Sequence, residues 1–366
     1  QKGLLAVIRD GEGARAVAGL TAPLGRLFAT ASDAVGLSEA QPIRAVRGPL
    51  PIETDVPDRL RHLCAHLAAA ENHPDPEVVA EIRQARRRGL ELAATLRAFL
   101  HQELDDHVYW MALEGRRPQT VFYSAPIEVG PTLKTALFDA VPTVVLTSAT
   151  LAVNGSLAYF RQRVGAEPCA ELAVGSPFDY ARQMRVWIPR NMPDPALDET
   201  AYAAACAEAV RYYVRRTGGH AFVLFTSAAL MRQVAAGVRA DFEADGLRVL
   251  VQNEGLARRA MLEHFRAGRA VLFGLDSFWM GVDVRGDALR NVIITRLPFA
   301  VPDHPLIQAR FDRIRARGGD PFREYSLPEA VIQFRQGIGR LIRSATDTGV
   351  IAVSYTHLTL PTIYSV

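Results

Sequence analysis

An α/β fold with a parallel sheet is predicted for residues 176–353, preceded by a mostly helical region over 1–120. Three observations predict it. From Asp198 onward, short apolar runs alternate with amphipathic stretches of ten or more residues, the pattern of strands joined by helical crossovers. Before residue 120 the clearest apolar spacing is helical: Leu92, Leu96, Phe99 and Leu100 fall at i, i+4, i+7 and i+8. The 366 residues are 49% apolar and 22% charged, ordinary for a globular chain that buries one large or two ordinary domains.

In chain order, Arg83, Arg86, Arg87 and Arg88 crowd the side of the Leu92–Leu100 segment opposite its apolar stripe. They read either as a solvated helix face or as contacts to phosphates. The stretches 40–58 and 71–77 are rich in proline and charge and read as connections. Thr120–Tyr123 reads as a strand, Gly130–Phe138 as a short helix and Pro142–Thr147 as a buried strand, with Val144, Val145 and Leu146 at its centre. Then follow a helix over Asp198–Arg216 stopped by Gly218-Gly219, a strand over Ala221–Phe225, a helix over Ser227–Ala240 and a strand over Leu247–Val251. A helix over Leu256–Ala267, strands at Ala270–Gly274 and Asn291–Thr295, and a helix over Asp303–Arg317 complete the alternation. Right-handed crossovers between such strands give one parallel sheet with helices on both faces.

Composition narrows the function classes. A net charge of +3 permits nucleic-acid binding without arguing for it. Cys64, Cys169 and Cys206 are far apart and form no C-x-x-C pair, which argues against a disulfide framework and against a zinc or iron–sulfur site built within this chain; a reducing cytoplasm is the expected compartment. No apolar run approaches the roughly 18 residues of a membrane helix, and no charged-then-apolar leader opens the chain, although it starts at Gln1 and a truncated beginning is compatible with that. The nine histidines have no metal-binding spacing, so no metal is expected, and Asp105-Asp106-His107 reads as a solvated helix face. No internal repeat occurs.

The chemistry-bearing stretch is Gln336-Gly337-Ile338-Gly339-Arg340-Leu341-Ile342-Arg343, after an apolar helix start at Leu327, Val331, Ile332 and Phe334. On a continuous helix, spacings of four and three put Gln336, Arg340 and Arg343 on one face, and two guanidiniums with an amide can hold an anion of several charged oxygens. Each glycine costs a helix interior about 1 kcal/mol against alanine, which makes sense where something must approach the backbone closely. Upstream lie Thr147-Ser148-Ala149-Thr150, Ser176-Pro177-Phe178-Asp179-Tyr180, Phe225-Thr226-Ser227 and Ser277-Phe278-Trp279-Met280-Gly281-Val282-Asp283.

In this order these segments resemble the late motifs of superfamily-2 helicases of the DinG/XPD type, over roughly 123–353. The resemblance implies a RecA-like carboxyl-terminal motor lobe at 176–353, the end of a first motor lobe at 121–175 and a helical arch over 1–120. It implies an ATP-dependent DNA helicase that moves 5′ to 3′ on single-stranded DNA in repair or replication. ATP and Mg2+ would be held mainly by an upstream lobe, where the family's iron–sulfur site also lies. By the same resemblance, Arg340 and Arg343 are arginine fingers on the γ-phosphate and Gln336 positions the attacking water or the phosphate. Gly281, Asp283 and Gly339 would serve the nucleotide side, and Thr147, Ser148 and Thr150 would couple the lobes. Thr226, Ser227, Ser277 and Trp279 would meet DNA, with Phe278 packed in the lobe; Thr226 and Ser227 also fit plain helix capping. Met280 departs from the family, which carries a polar residue there.

No G-x-x-x-x-G-K-[ST] and no acidic D-E-x-x segment after an apolar strand occurs in these residues, so this chain alone is expected not to hydrolyse ATP. Residues 354–366 contain no Asp, Glu, Lys or Arg and are expected to be foreign or out of frame; a well-paired strand there would contradict this. The competing function class is a non-catalytic nucleic-acid-binding or regulatory module that keeps the lobe's shape.

Overall fold

The computed structural model describes residues 4–8, 10–115, 117–279, 284 and 286–354. It divides into two compact units, one of residues 1–129 with 301–318, the other of 130–300 with 319–366. Among the described residues no helix is long and apolar enough to cross a membrane.

The first unit holds helices α1 (Leu4–Val7), α2 (Gly11–Ala18), α3 (Thr21–Val35), α4 (Val56–Ala68) and α5 (Pro76–His101). It is mostly helical as expected, but also contains an antiparallel sheet of β1 (Ile43–Val46), β2 (His107–Glu114) and β3 (Gln119–Pro126) in that order. β1 lies in a stretch read as a connection. Asp105-Asp106-His107 is the turn into β2, with Asp106 at a φ of +58°, rather than a helix face. On α5, Leu96, Phe99 and Leu100 are buried as the stripe predicts, whereas Leu92 turns to solvent and Ala93 takes its place. The arginines of α5 are largely paired within the unit: Arg83 and Arg86 with Glu71, and Arg86 also with the Cys64 carbonyl.

The second unit runs through α6 (Gly130–Leu133), α7 (Ala158–Val164), α8 (Tyr180–Gln183), β4 (Met184–Trp187), α9 (Glu199–Arg216), β5 (Ala221–Leu224) and α10 (Ala228–Ala244). It continues with β6 (Arg248–Val251), α11 (Arg258–Arg266), β7 (Ala270–Gly274), α12 (Asp276–Trp279) and β8 (Asn291–Ile294). Then α13 (Pro305–Ala316) returns to the first unit, before α14 (Leu327–Ile338) and β9 (Gly349–Val353) close the second. In the first unit α13 is fastened by Arg310, whose Nε donates to the Ile127 carbonyl at 2.9 Å, and by Arg313 paired with Asp106.

Local chemistry sets these boundaries. Asp198 caps α9 by accepting from the Ala201 amide at 2.8 Å, and Ser227 caps α10 through the Leu230 amide. Gly218 and Gly219 end α9 at φ values of +65° and +89°, which a side chain rarely tolerates.

The six strands pair in parallel in the order β4-β9-β8-β5-β7-β6. The chain moves one way across the sheet from β4 to β5 to β6, then reverses at the edge strand β6. Right-handed crossovers must therefore change face there. Residues of α9 and α10 (Tyr202, Val210, Val234, Phe242) pack with Val223, Phe273 and Ile293. Residues of α11, α12 and α14 (Phe265, Trp279, Phe334) pack with Phe222, Leu272 and Ile294 on the other side. The α/β lobe with a parallel sheet and helices on both faces is thus the one expected from the alternation.

Pro142–Thr147 does not form the predicted strand. Val145 is 82% exposed, and among the described residues no strand pairs with this run. An apolar run makes a buried strand only where neighbours satisfy its backbone and cover both faces. Of the segment 354–366 only Ser354 is described; its amide donates to the Ile294 carbonyl at 2.9 Å, and the expectation for the remainder lies outside the described residues.

Helix α14 ends at Ile338, so Gln336, Arg340 and Arg343 do not share one helical face. Its Gly337 answers to a close approach, but from inside the protein: a β-carbon there would lie 2.9 Å from Trp279 Cε3 and 3.1 Å from Cζ3. Gly337→Ala sets a helix-propensity gain of about 1 kcal/mol against overpacking of about 1–3 kcal/mol beneath a fully buried ring. With a ring that cannot shift, overpacking wins, and the variant is expected to lose up to about 2 kcal/mol, read as a lower denaturation midpoint at unchanged slope.

Candidate functional site

Because all six strands run parallel, their carboxyl ends share one edge, and the connections leaving β5 and its neighbours β7 and β8 go to opposite faces. That divergence opens a crevice where open α/β sheets take ligands. Phe225-Thr226-Ser227 leaves β5 at this edge, Gln252 follows β6, and Leu275 with α12 follows β7. Thr226 and Ser227 are half-buried, and the Ser227 hydroxyl is engaged in capping α10. Ser277 is exposed and its Oγ lies 3.1 Å from Gln252 Nε2.

Trp279 is fully buried, and its indole N–H donates to the Phe225 carbonyl at 3.1 Å. This corrects the expectation that it meets DNA: the ring serves the lobe's interior, as Phe278 does. Sequence spacing could not separate the two aromatics, because a single helical turn buries both here. Gly281 and Asp283 lie outside the described residues.

The end of α14 is built around two differently placed arginines. Arg340 is 3% exposed; its Nη1 donates to the Phe278 carbonyl and its Nε to the Gln336 carbonyl at 3.2 Å. Burial, together with the like charges of Arg343 and Arg258, pulls its guanidinium down to about 10, so it stays charged at neutral pH. Gly339 caps the helix by donating its amide to the Arg335 carbonyl at 2.9 Å. Leu341 and Ile342 then plunge into the core, and Arg343 emerges exposed. Its backbone is held in a tight turn: Asp347 accepts from the Arg343 amide at 2.7 Å and from the Ser344 amide at 2.9 Å, and Gln183 donates to the Ser344 and Asp347 carbonyls. Arg258, at the start of α11, was passed over in the sequence. Its guanidinium lies 5.6 Å from the Phe278 ring centroid, and its charge is felt at Arg340. The only signal for it was an arginine opening a helix, which is common on solvated faces.

The Thr147–Thr150 segment is brought to the same helix. Gln336 Nε2 donates to Thr150 Oγ1 at 3.3 Å, and Arg335 Nη1 donates to the Ala152 carbonyl at 2.7 Å. Tyr159 bonds to Glu329 and Arg163 sits 3.6 Å from that carboxylate, so residues 150–163 are fastened along α14. Burial and the Glu329 carboxylate push the Tyr159 phenol up, which keeps it a donor. Thr147 and Ser148 stay exposed, with Ser148 Oγ accepting the Thr150 amide at 3.2 Å. Of the sequence-predicted residues, Thr150, Gln336, Gly339 and Arg340 meet near the end of α14, with Arg343 just beyond it, and Thr226, Ser227 and Ser277 lie at the carboxyl edge of the sheet; Thr147 and Ser148 are exposed, Trp279 is buried, and Gly281 and Asp283 lie outside the described residues.

Chemically, three arginines converge, and the buried one, Arg340, donates to the main-chain carbonyls of Phe278 and Gln336. Such a concentration of positive charge suits a multiply charged oxyanion. Among the described residues no group of three or more His, Cys, Asp or Glu could hold a metal ion.

A family model described as the helicase C-terminal domain matches residues 210–359. The chain is 41% identical over 252 residues to the ATP-dependent DNA helicase YoaA of Escherichia coli K12, a match covering 69% of this chain and 38% of that protein. It is 35% identical over 285 residues to the 3'-5' exonuclease DinG of Bacillus subtilis, covering 75% of this chain and 30% of that protein. It is 36% identical over 252 residues to the ATP-dependent helicase DinG of Mycobacterium tuberculosis H37Rv, covering 67% and 37%. The chain therefore spans well under half the length of these relatives. A solved XPD helicase shares the fold at a TM-score of 0.56 and 15% identity, over 96% of this chain and 60% of that one. The Xpd4 of S. tokodaii does so at 0.55 and 16%, over 87% and 58%. On these matches the chain belongs to the DinG/XPD type of superfamily-2 helicases, through their carboxyl-terminal helicase domain.

Proposed function

We propose that this chain is the part of an ATP-dependent DNA helicase that answers to nucleotide rather than holding it. The observation that carries the reading is the division of labour at the end of α14: Arg343 exposed on a pinned backbone, Arg340 buried beneath it, and Gln336 joined to Thr150. ATP supplies a triphosphate whose transferring group accumulates charge on its oxygens. Arg343 is the residue that meets that charge when a nucleotide-bearing lobe closes on it. Arg340 is a positioning residue that ties the end of α14 to the Phe278 carbonyl. Arg258 adds to the field that draws the anion in. The described residues offer no carboxylate cluster for magnesium, so the ion's ligands are assigned to the other lobe, as is the phosphate cradle absent from this sequence.

Thr150 and Gln336 form the link through which nucleotide state reaches residues 147–163. Ser277, exposed at the carboxyl edge, and Thr226-Ser227, at the start of α10, are assigned to the backbone of single-stranded DNA. The 5′-to-3′ direction and a role in repair or replication rest on the resemblance alone.

In the full-length helicase, Arg343→Ala should lower DNA-stimulated ATP turnover by about 10³-fold, the usual weight of an arginine finger, with thermal stability unchanged. Full turnover by this variant overturns the assignment. Arg340→Ala should instead lower the thermal midpoint as well as turnover, because it strips partners from the buried Phe278 and Gln336 carbonyls. Thr150→Val should depress strand displacement more than ATP turnover, seen by running both assays on one preparation. The purified 366-residue chain should bind single-stranded DNA without hydrolysing ATP; DNA-stimulated phosphate release from it contradicts the reading.

A further inference from the structure

The loop after β7 is held by a residue that carries no motif. Gln252, the first residue past β6, takes the Leu275 amide on its Oε1 at 2.7 Å and presents its Nε2 to Ser277 Oγ at 3.1 Å. Its own amide donates to the Phe273 carbonyl at 3.0 Å, so its backbone continues the β6–β7 pairing and is rigid. The orientation of the side-chain amide is chemically determined. A backbone N–H can only donate, so the atom facing Leu275 is the oxygen, and the nitrogen therefore faces Ser277. An amide nitrogen can only donate in turn, so the Ser277 hydroxyl is the acceptor in that contact. Its one proton is left for a partner elsewhere, and Ser277 is exposed.

We infer that Gln252 is a positioning residue for DNA binding: it fixes Ser277 as a hydrogen-bond donor to a backbone phosphate. A phosphodiester oxygen is an acceptor only, so a serine whose proton is committed inward would face it with lone pairs. Gln252 removes that option. The sequence motif supplies the serine; the neighbouring strand supplies the direction of its proton. This inference rests on the assignment of Ser277 to the DNA backbone.

The test is a double-mutant cycle on single-stranded oligothymidylate binding by the 366-residue chain, read by fluorescence anisotropy. Gln252→Glu keeps an acceptor for the Leu275 amide but replaces the donor facing Ser277 with an acceptor, turning the hydroxyl inward. It is expected to weaken binding about tenfold, the order of one hydrogen bond to a charged group, with an unchanged thermal midpoint. Ser277→Ala should weaken binding to a similar degree, and adding Gln252→Glu to it should cost nothing further. Gln252→Ala, which adds no charge, should give a smaller loss that is likewise absent in the Ser277→Ala background, and it carries the cycle if the glutamate variant folds poorly. Equal losses from Gln252→Glu in both backgrounds would mean simple charge repulsion and overturn the inference. So would a loss from Ser277→Ala with none from either Gln252 variant, leaving the serine's assignment intact. Unchanged binding by Ser277→Ala overturns that assignment and the inference with it.

Discussion

The seat of Trp279 is the constraint on which the second unit depends. Its ring lies against Gly337 with no room for a methyl group, and its N–H closes on the carbonyl of Phe225, the first residue past β5. One side chain thus fastens α12 to both α14 and the central strand. The buried Arg340 adds the other half of the joint, from the end of α14 back to the carbonyl of Phe278. Three motifs far apart in sequence meet in this corner, and each fills a requirement of the others: the tryptophan needs a glycine, the glycine frees the helix surface, and the arginine satisfies a carbonyl at the turn's end. A buried guanidinium is costly unless its donors are used. Carbonyl dipoles use those of Arg340 without cancelling its charge.

That joint explains where sequence reasoning succeeded. Strands β5 to β8 announced themselves because both faces of the sheet are covered there, which demands continuous apolar runs, whereas the edge strand β4, with Val186 and Trp187 exposed, went unread. Helix limits were legible where a cap or a left-handed glycine fixes them, as at Asp198, Ser227 and Gly218-Gly219. The failures have equally local causes. Spacing alone extended α14 through Arg343, but Leu341 and Ile342 are wanted by the core, and burying both takes the chain out of helix. Trp279 reads as a stacking aromatic because composition cannot tell a ring packed against a glycine from one offered to a base. β2 was hidden because its pairing with β1 and β3 depends on partners that local pattern does not name. Arg258 and Gln252 were invisible for the same reason: their meaning lies in what the fold sets beside them.

Pro142–Thr147 is the instructive miss, because its sequence is right for a strand and its surroundings are not. With no strand paired to it among the described residues, this apolar run is largely exposed, whereas the residues after it are anchored along α14 by Tyr159, Arg163 and Arg335. The chain therefore changes character within a few residues of Thr150. Before that point most of its side chains are exposed; after it several are fastened to α14. The Gln336–Thr150 hydrogen bond sits at this change.

Such a junction is a natural point of mechanical coupling. A rigid corner cannot sense nucleotide by bending, since packed interiors resist continuous deformation. It can only move as a body, and signal through the contacts at its margin. The side chains at that margin are short and polar: Thr150, Gln336, Ser277 and Gln252, joined in pairs by single hydrogen bonds. Single hydrogen bonds between neutral groups contribute about 1 kcal/mol net, weak enough to be exchanged for contacts with phosphate oxygens and directional enough to register the exchange. Arg343 differs from them in carrying a charge whose field reaches further than a hydrogen bond, which is why the proposed function gives it, and not those pairs, to the phosphate.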